Sequence, residues 1–280
     1  MILFLEALIE MSRSGGIYFY IEKYKWINLL IPLMDMAILA GGKGTRMSAL
    51  SDKPKCVLDL QGKPILVHLI EHFKQFGFQR FVMVVGHRAD EVKTELSKHT
   101  LTDALTDVEI VFTKPANKGT AAALQELKNY FDNDFMLVNG DILTDFDPTK
   151  IIQLHQDSNA LLTTAVKDEA VEIPYGILEM KNNQYLDFLE TKSISYLRHV
   201  GVFVFSKGIF SYLEKTARED SGEKITGKRI EYFIKDLMAK NKAQFFNYDQ
   251  QLLWLNINTP EELEKASKIM AEINAGKGRT

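Results

Sequence analysis

The sequence predicts an α/β fold: a Rossmann-like, mixed but mostly parallel central sheet with helices on both faces, extended by an antiparallel part in its second half. Three observations carry this expectation. Short runs at residues 36–40, 81–85, 108–112 and 135–138 read as strands, the first of them apolar throughout, too brief for a helix and suited to burial on both faces. Segments with helical spacing lie between them, and that alternation implies parallel strands joined by crossover helices. From residue 175 the pattern changes, and residues 175–179, 185–189 and 200–205 read as an antiparallel meander.

The first strand, residues 36–40, breaks into Gly41, Gly42 and Gly44. Glycines there let the backbone take positive φ and turn successive N–H groups onto an anion with no Cβ in the way. Arg46 adds a planar, permanently charged fork for phosphate oxygens, and Lys55 adds a compact charge further on. Two commoner glycine motifs are excluded. A dinucleotide fingerprint counted from Gly42 and Gly44 needs glycine or alanine at 47, where Met47 stands, and no Gly-Lys-Ser/Thr run of a Walker loop occurs. An ordinary glycine-rich turn explains neither Arg46 nor Lys55.

Residues 64–76 read as a helix, with Pro64 in its first turn, Ile65, Leu66, Leu69, Ile70 and Phe73 at helical spacing and Gly77 as the stop. His68 and His72 lie one turn apart on it, which is metal-ligand spacing. Without a third ligand they read as surface or partly buried histidines. The strand at 81–85 ends at Gly86, and glycine at a strand's carboxyl end lines the ligand crevice of an open α/β sheet. His87 and Arg88 follow, beside a base or simply solvated, and residues 90–97 look helical. Lys118-Gly119-Thr120 then opens an alanine-rich helix over 121–130, with Thr120 as its N-cap.

The strand at 135–138 delivers Asn139-Gly140-Asp141. A carboxylate just past a buried strand can hold a hard cation such as Mg²⁺ against substrate phosphates. Asp145 and Asp147, before Pro148, read as turn residues. A helix over 151–156 and a strand over 161–166 precede the meander. At the far end Thr259 and Glu262 make a capping box with Pro260 in the first turn, so 260–274 is expected to be helical.

A chain of 280 residues with 46% hydrophobic content can bury a sizeable core, as one large α/β domain or two small ones. Its formal charge of -3 and pI near 6.1 argue against a nucleic-acid partner, so phosphate ligands must be met by local cations. The single cysteine, Cys56, cannot close an internal disulfide, which fits a cytoplasmic location. Followed by Val57 and Leu58, it reads as a small core residue rather than a nucleophile. Residues 1–35 are apolar but interrupted by Glu6 and Glu10, with neither a basic leader nor an unbroken apolar span of about 20 residues, so no stable membrane insertion is expected. They read as a packing helix, a loosely attached extension, or the product of a start placed upstream of the native one.

The run LAGGKGTRM at residues 39–47, followed by Pro54-Lys55 and by Gly62-Lys63-Pro64, resembles the signature of the sugar-1-phosphate nucleotidyltransferases. The likeness runs from Met36 to Ile273. It implies transfer of a nucleotidyl group from a nucleoside triphosphate to a sugar 1-phosphate, with pyrophosphate released and Mg²⁺ as cofactor. On matching positions it assigns Leu39, Ala40, Gly41, Gly42, Gly44, Thr45, Arg46, Lys55, Gly86, Gly119, Thr120 and Asp141 to the nucleotide. Among these, Arg46, Lys55 and Asp141 carry the catalysis, and Asp141 shares the metal with Asn256. Gly140, Tyr175, Gly176, Glu190, Lys192 and Gly201 fall to the sugar phosphate, the glycines leaving room for a hydroxylated ring.

Some positions depart from the family pattern. Glu190-Thr191-Lys192 stands where Glu-Lys-Pro is usual, which puts the lysine one place late, and Val200 stands where asparagine often precedes the glycine. Asn256 replaces the usual aspartate, offering an amide oxygen without charge. These departures keep open a non-catalytic, regulatory nucleotide-binding homologue. The expected division is an extension over 1–35 and one domain over 36–275, with a nucleotide part to 170, a sugar-phosphate part over 171–258 laid on it, and a terminal helix. General likeness leans to GTP with mannose- or heptose-1-phosphate, ahead of UTP or dTTP with a hexose 1-phosphate. The glycine loop is also shared by cytidylyltransferases of non-sugar phosphates and by molybdopterin guanylyltransferases. Assembly into a homo-oligomer is open.

Overall fold

The computed structural model describes residues 34–42, 53–86, 88–100, 105–114, 120–182, 184–189, 192–219, 230–248 and 252–275. Its first half runs β1 (Asp35–Leu39), a 3₁₀ turn (Lys55–Val57), β2 (Asp59–Leu60), β3 (Lys63–Pro64), α1 (Ile65–Lys74), β4 (Arg80–Val84), α2 (Ala89–Thr100), β5 (Glu109–Phe112), α3 (Thr120–Glu126), β6 (Phe135–Asn139), β7 (Ile142–Thr144) and α4 (Thr149–Gln156). The second runs β8 (Leu162–Ile173), β9 (Ile177–Lys181), β10 (Gln184–Leu189), β11 (Lys192–Phe205), α5 (Ile209–Glu219), α6 (Ile230–Ala239), β12 (Ala243–Asn247), β13 (Trp254–Asn256) and α7 (Pro260–Asn274).

Seven strands form one sheet in the order β12-β8-β11-β6-β1-β4-β5. β1 pairs in parallel with β4 and β6, β4 with β5, and β12 with β8, whereas β11 runs against both β6 and β8. This is the mixed, mostly parallel sheet that the strand–helix alternation predicts. Alternate residues of each strand feed opposite faces. Met36 and Ile38 of β1 and Met136 and Val138 of β6 pack with Leu66, Ile70 and Phe73 of α1, Val92 and Leu96 of α2 and Ile151 of α4. Ala37, Phe135 and Leu137 pack the other way, with Leu124 of α3, Ile209 and Leu213 of α5, and Phe233 and Leu237 of α6. Phe135 stacks between Phe131 and Phe210, and each such fully buried side chain contributes about 1.5–3 kcal/mol relative to an exposed one.

The first helix starts one residue later than its proline predicts. Pro64 precedes α1 with an extended ψ of 144° and pairs within the β2–β3 hairpin, so it caps the helix instead of lying in its first turn. Beyond α1 the chain turns at Gly77, whose φ of 90° favours glycine.

Strands β9, β10 and β11 pair antiparallel, as their sequence pattern predicts. β11 is 14 residues long, and Val202 to Phe205 pair with β6 inside the main sheet while Lys192 to His199 pair with β8 alone. In β8 burial ends at Val166, because Leu162-Thr-Thr-Ala-Val is followed by Lys167-Asp-Glu. Past that point the two strands leave the body as a ribbon, with the β9–β10 hairpin between them. A third cluster, of Leu58, Leu60, Ile65, Leu143, Ile257 and Ala266, seats α7 against the segment that follows Lys55. Among the described residues no helix is long and apolar enough to cross a membrane.

Candidate active site

The carboxyl ends of β1, β4 and β6 stand level, since Leu39 is in register with both Val84 and Asn139. The chain leaving them is drawn tight: Ala40 donates its N–H to the Val84 carbonyl at 2.9 Å, and Gly140 to that of Leu39 at 3.0 Å. A Cβ on Gly140 would lie 2.8 Å from the same Leu39 oxygen, and one on Gly41 would lie 2.9 Å from the Gly86 nitrogen. Strand-end packing therefore requires three of the glycines assigned to ligands. Gly42 is different, for among the described residues nothing lies within 4 Å of the place a Cβ would take, which leaves its backbone open to an anion.

Lys55 enters from the 3₁₀ turn. Its ammonium pairs with the Asp141 carboxylate and donates to Asn258 Oδ1 at 2.8 Å. The Lys55 and Asp141 side chains are only 14% and 23% exposed, so solvent screens this pair less than a surface one. The partners come from distant segments. β7 pairs antiparallel with β13, setting Asn256 opposite Ile142, and the Ile257 N–H donates to the Asp141 carbonyl at 2.8 Å. That pairing brings the far end of the chain to the aspartate.

Asn256 turns its side-chain oxygen to the buried Trp254 indole, which donates at 3.2 Å. An amide oxygen keeps a second lone pair, so this bond does not use up its capacity. Among the described residues no group of three or more His, Cys, Asp or Glu side chains converges. Mg²⁺ needs less than that, because it keeps several waters and is commonly bound by one or two carboxylates plus substrate phosphates. One carboxylate at Asp141, in the turn before β7, and one amide oxygen at Asn256 of β13 are donors of the kind such a shared site takes.

Cys56 lies buried beside the lysine, its Sγ 3.7 Å from the Ala40 carbonyl. Burial, and then the Asp141 carboxylate, push its thiol up to about 12 against the opposing pull of its backbone and of Lys55. It is a core residue, as its neighbours in sequence suggested. The two histidines of α1 do not converge on a metal. His68 Nε2 lies 2.7 Å from the Leu60 carbonyl and His72 Nε2 lies 2.8 Å from that of Phe146, so each ring ties the helix to a different neighbour. Asp145 and Asp147 accept backbone N–H groups of Leu253 and Thr149 at 2.7 and 2.8 Å, which is turn and strand support.

Several assigned residues also serve the fold. The Thr120 hydroxyl oxygen accepts from the Ile230 N–H at 3.0 Å, tying α3 to α6. Gly201, at a φ of 77°, has the Asn139 carboxamide where a Cβ would stand, and Gly176 has the Phe188 ring. Both glycines make room for a neighbouring side chain. Tyr175 is 74% exposed near the tip of the ribbon, and Lys192 begins β11 opposite Ile173. Gly44, Thr45, Arg46, Gly119, Glu190 and Thr191 lie outside the described residues, as do His87 and Lys118.

The residue that sequence reasoning missed is Asn258. It stands two places after Asn256 and directly before the capping box, so a polar side chain beside a proposed ligand was the available signal.

Fold and site together define a doubly wound α/β protein whose candidate site lies at the carboxyl ends of its strands. More narrowly, the chain belongs to the nucleotidyl transferase family, whose profile it matches over residues 36–273. It is similar to a UTP–glucose-1-phosphate uridylyltransferase of Synechocystis, 26% identical over 215 residues that cover 71% of this chain and 55% of that protein. It is also similar to a probable glucose-1-phosphate cytidylyltransferase of Bacillus subtilis, 27% identical over 255 residues covering 84% and 96%. The crystal structure of HddC from Yersinia pseudotuberculosis complexed with GMP-PN superposes with a TM-score of 0.58 at 25% identity, covering 85% of this chain and 99% of that one. The chain thus spans about half the length of the Synechocystis relative and nearly all of the other two.

Proposed function

We propose that this chain transfers a nucleotidyl group from a nucleoside triphosphate to a sugar 1-phosphate, releasing pyrophosphate. The observation that carries this reading is the covered Lys55–Asp141 pair, with Asp141 directly after the Gly140 that bonds the end of β1. A phosphate oxygen of the sugar attacks the α-phosphorus and pyrophosphate leaves on the opposite side. Both reactants are anions, so the protein acts mainly by positioning them and neutralising charge. Lys55 draws the acceptor phosphate and the α-phosphoryl group together. The backbone amides from Gly41 onward and Arg46 take the leaving pyrophosphate, and Glu190 with Lys192 serve the acceptor. No general base is needed, because a sugar phosphate is largely ionised at neutral pH. Asp141 and Asn256 would hold Mg²⁺, which supplies further charge neutralisation on the triphosphate when bound.

For the substrates, the names of the two curated relatives favour a pyrimidine triphosphate with glucose 1-phosphate. The guanine nucleotide of the HddC complex favours a second reading, GTP, which the sequence likeness pairs with mannose- or heptose-1-phosphate. The deciding experiment incubates purified protein with Mg²⁺, each triphosphate in turn and a panel of sugar phosphates, and follows pyrophosphate. Release with one pair identifies the substrates. Nucleotide binding with no release from any pair would instead support a regulatory homologue.

A further inference from the structure

We infer that Asn258 is a positioning residue for Lys55, and that Glu262 acts through Asn258. The inference rests on the proposed role of Lys55 as the cation that gathers the phosphates. A lysine carries its charge on a flexible four-carbon stem, so an ammonium with a single partner moves with that partner. Among the described residues Lys55 has two, the Asp141 carboxylate and Asn258 Oδ1 at 2.8 Å. They differ in kind. The Asp141 oxygens are also those assigned to the metal, and a cation bound there draws on the same lone pairs. Asn258 offers a neutral oxygen that the ammonium can keep, and it adds no negative charge to a site that must receive two anions. An aspartate at 258 would hold the lysine more strongly and repel the phosphates.

Asn258 is itself gripped. Its backbone N–H donates to Glu262 Oε2 at 2.6 Å, and the same oxygen accepts the Thr259 N–H at 3.0 Å. In return the Thr259 hydroxyl accepts the Glu262 N–H at 3.3 Å, completing the capping box of α7. The box therefore does more than start a helix: its carboxylate fixes the backbone of the residue that holds Lys55. α7 is in turn seated by Ala266 on the cluster containing Leu58 and Leu60, just past Lys55 in the chain. Both ends of the Lys55–Asn258 contact are thus anchored to one packed unit.

Three variants separate positioning from helix capping. Asn258→Ala is expected to lower kcat on the order of 10- to 100-fold, with the triphosphate KM and Tm little changed. Glu262→Ala should lower kcat less and Tm more. Thr259→Ala removes the hydroxyl but leaves both bonds to the Glu262 carboxylate, so Tm should fall while kcat holds. Mn²⁺ binding, followed through the free-ion EPR signal, should weaken in Asn258→Ala by less than the roughly 10-fold that loss of a ligand's own support costs. Asn258→Ser serves if the alanine variant does not fold. Wild-type kcat in Asn258→Ala, equal kcat losses in Glu262→Ala and Thr259→Ala, or abolished Mn²⁺ binding in Asn258→Ala would each overturn the assignment. Absence of release by the wild-type chain with every substrate pair is a separate result, which overturns the transferase reading beneath it.

Discussion

The backbones of Gly41 and Gly86 touch at the carboxyl ends of β1 and β4, so closely that a Cβ on Gly86 would lie 2.8 Å from the Gly41 carbonyl oxygen. Neither strand end can yield without disturbing the Leu39–Val84 register beneath it. Gly86→Ala is therefore expected to destabilise the protein by about 1–3 kcal/mol. Gly42→Ala, at an open position, should cost no more than about 0.5–1 kcal/mol. Paired urea titrations read the contrast, and equal costs at the two positions would refute this account of the turn.

Lys55→Ala removes the covered cation at the strand ends. Turnover in the pyrophosphate-release assay is expected to fall by roughly 10²–10³. Asp141→Ala should fall comparably, and the double variant by far less than the product of the two, because both act on the same phosphates. Near-normal release by Lys55→Ala would remove Lys55 from the chemistry.

Cys56 is expected to be silent. With its side chain buried and its thiol pushed up to about 12, it should resist a disulfide reagent at pH 8 in the folded protein and react fully once urea unfolds it. Cys56→Ala should retain turnover. Rapid modification of the native protein would contradict the burial.

His155 links stability to pH. Its ring is buried between the hydroxyls of Thr163 and Ser206, at 2.8 and 3.0 Å, and burial lowers its pKa against the opposing pull of Asp134. Burial also lowers the pKa of His72, and there the Phe146 carbonyl and the Asp145 and Asp147 carboxylates pull the other way. Unfolded histidine binds its proton near 6.5 while the folded ring stays neutral, so the unfolded state takes up more protons below that pH. Stability should hold above about pH 7 and decline as pH falls through 6.5, by up to about 1.4 kcal/mol per pH unit for each histidine. Urea midpoints between pH 8 and pH 5 measure the slope, which His155→Gln should reduce.

Much of this protein could be read from its residues in order. The apolar run over 36–40 announced a strand buried on both faces, Asn139-Gly140-Asp141 a carboxylate at a strand end, and Thr259 with Glu262 the start of the last helix; each depends on spacing within a few residues. The length of β8 and β11 was not legible, because Lys167-Asp-Glu reads as the end of a strand, and only pairing across the ribbon carries the strands through it. Gly176 and Gly201 were likewise opaque, since what fills the space of a missing Cβ belongs to Phe188 and Asn139 on other segments.

Hydrophobic period and backbone freedom are local properties, so the strands of the sheet and the glycines at their ends are legible in the residues alone. That Lys55 meets Asp141 and Asn258 depends on long-range packing, since these contacts wait on the β7–β13 register and on the seating of α7. Lys55 and Asn258 are 203 residues apart, and no local pattern specifies which face of one distant segment meets another.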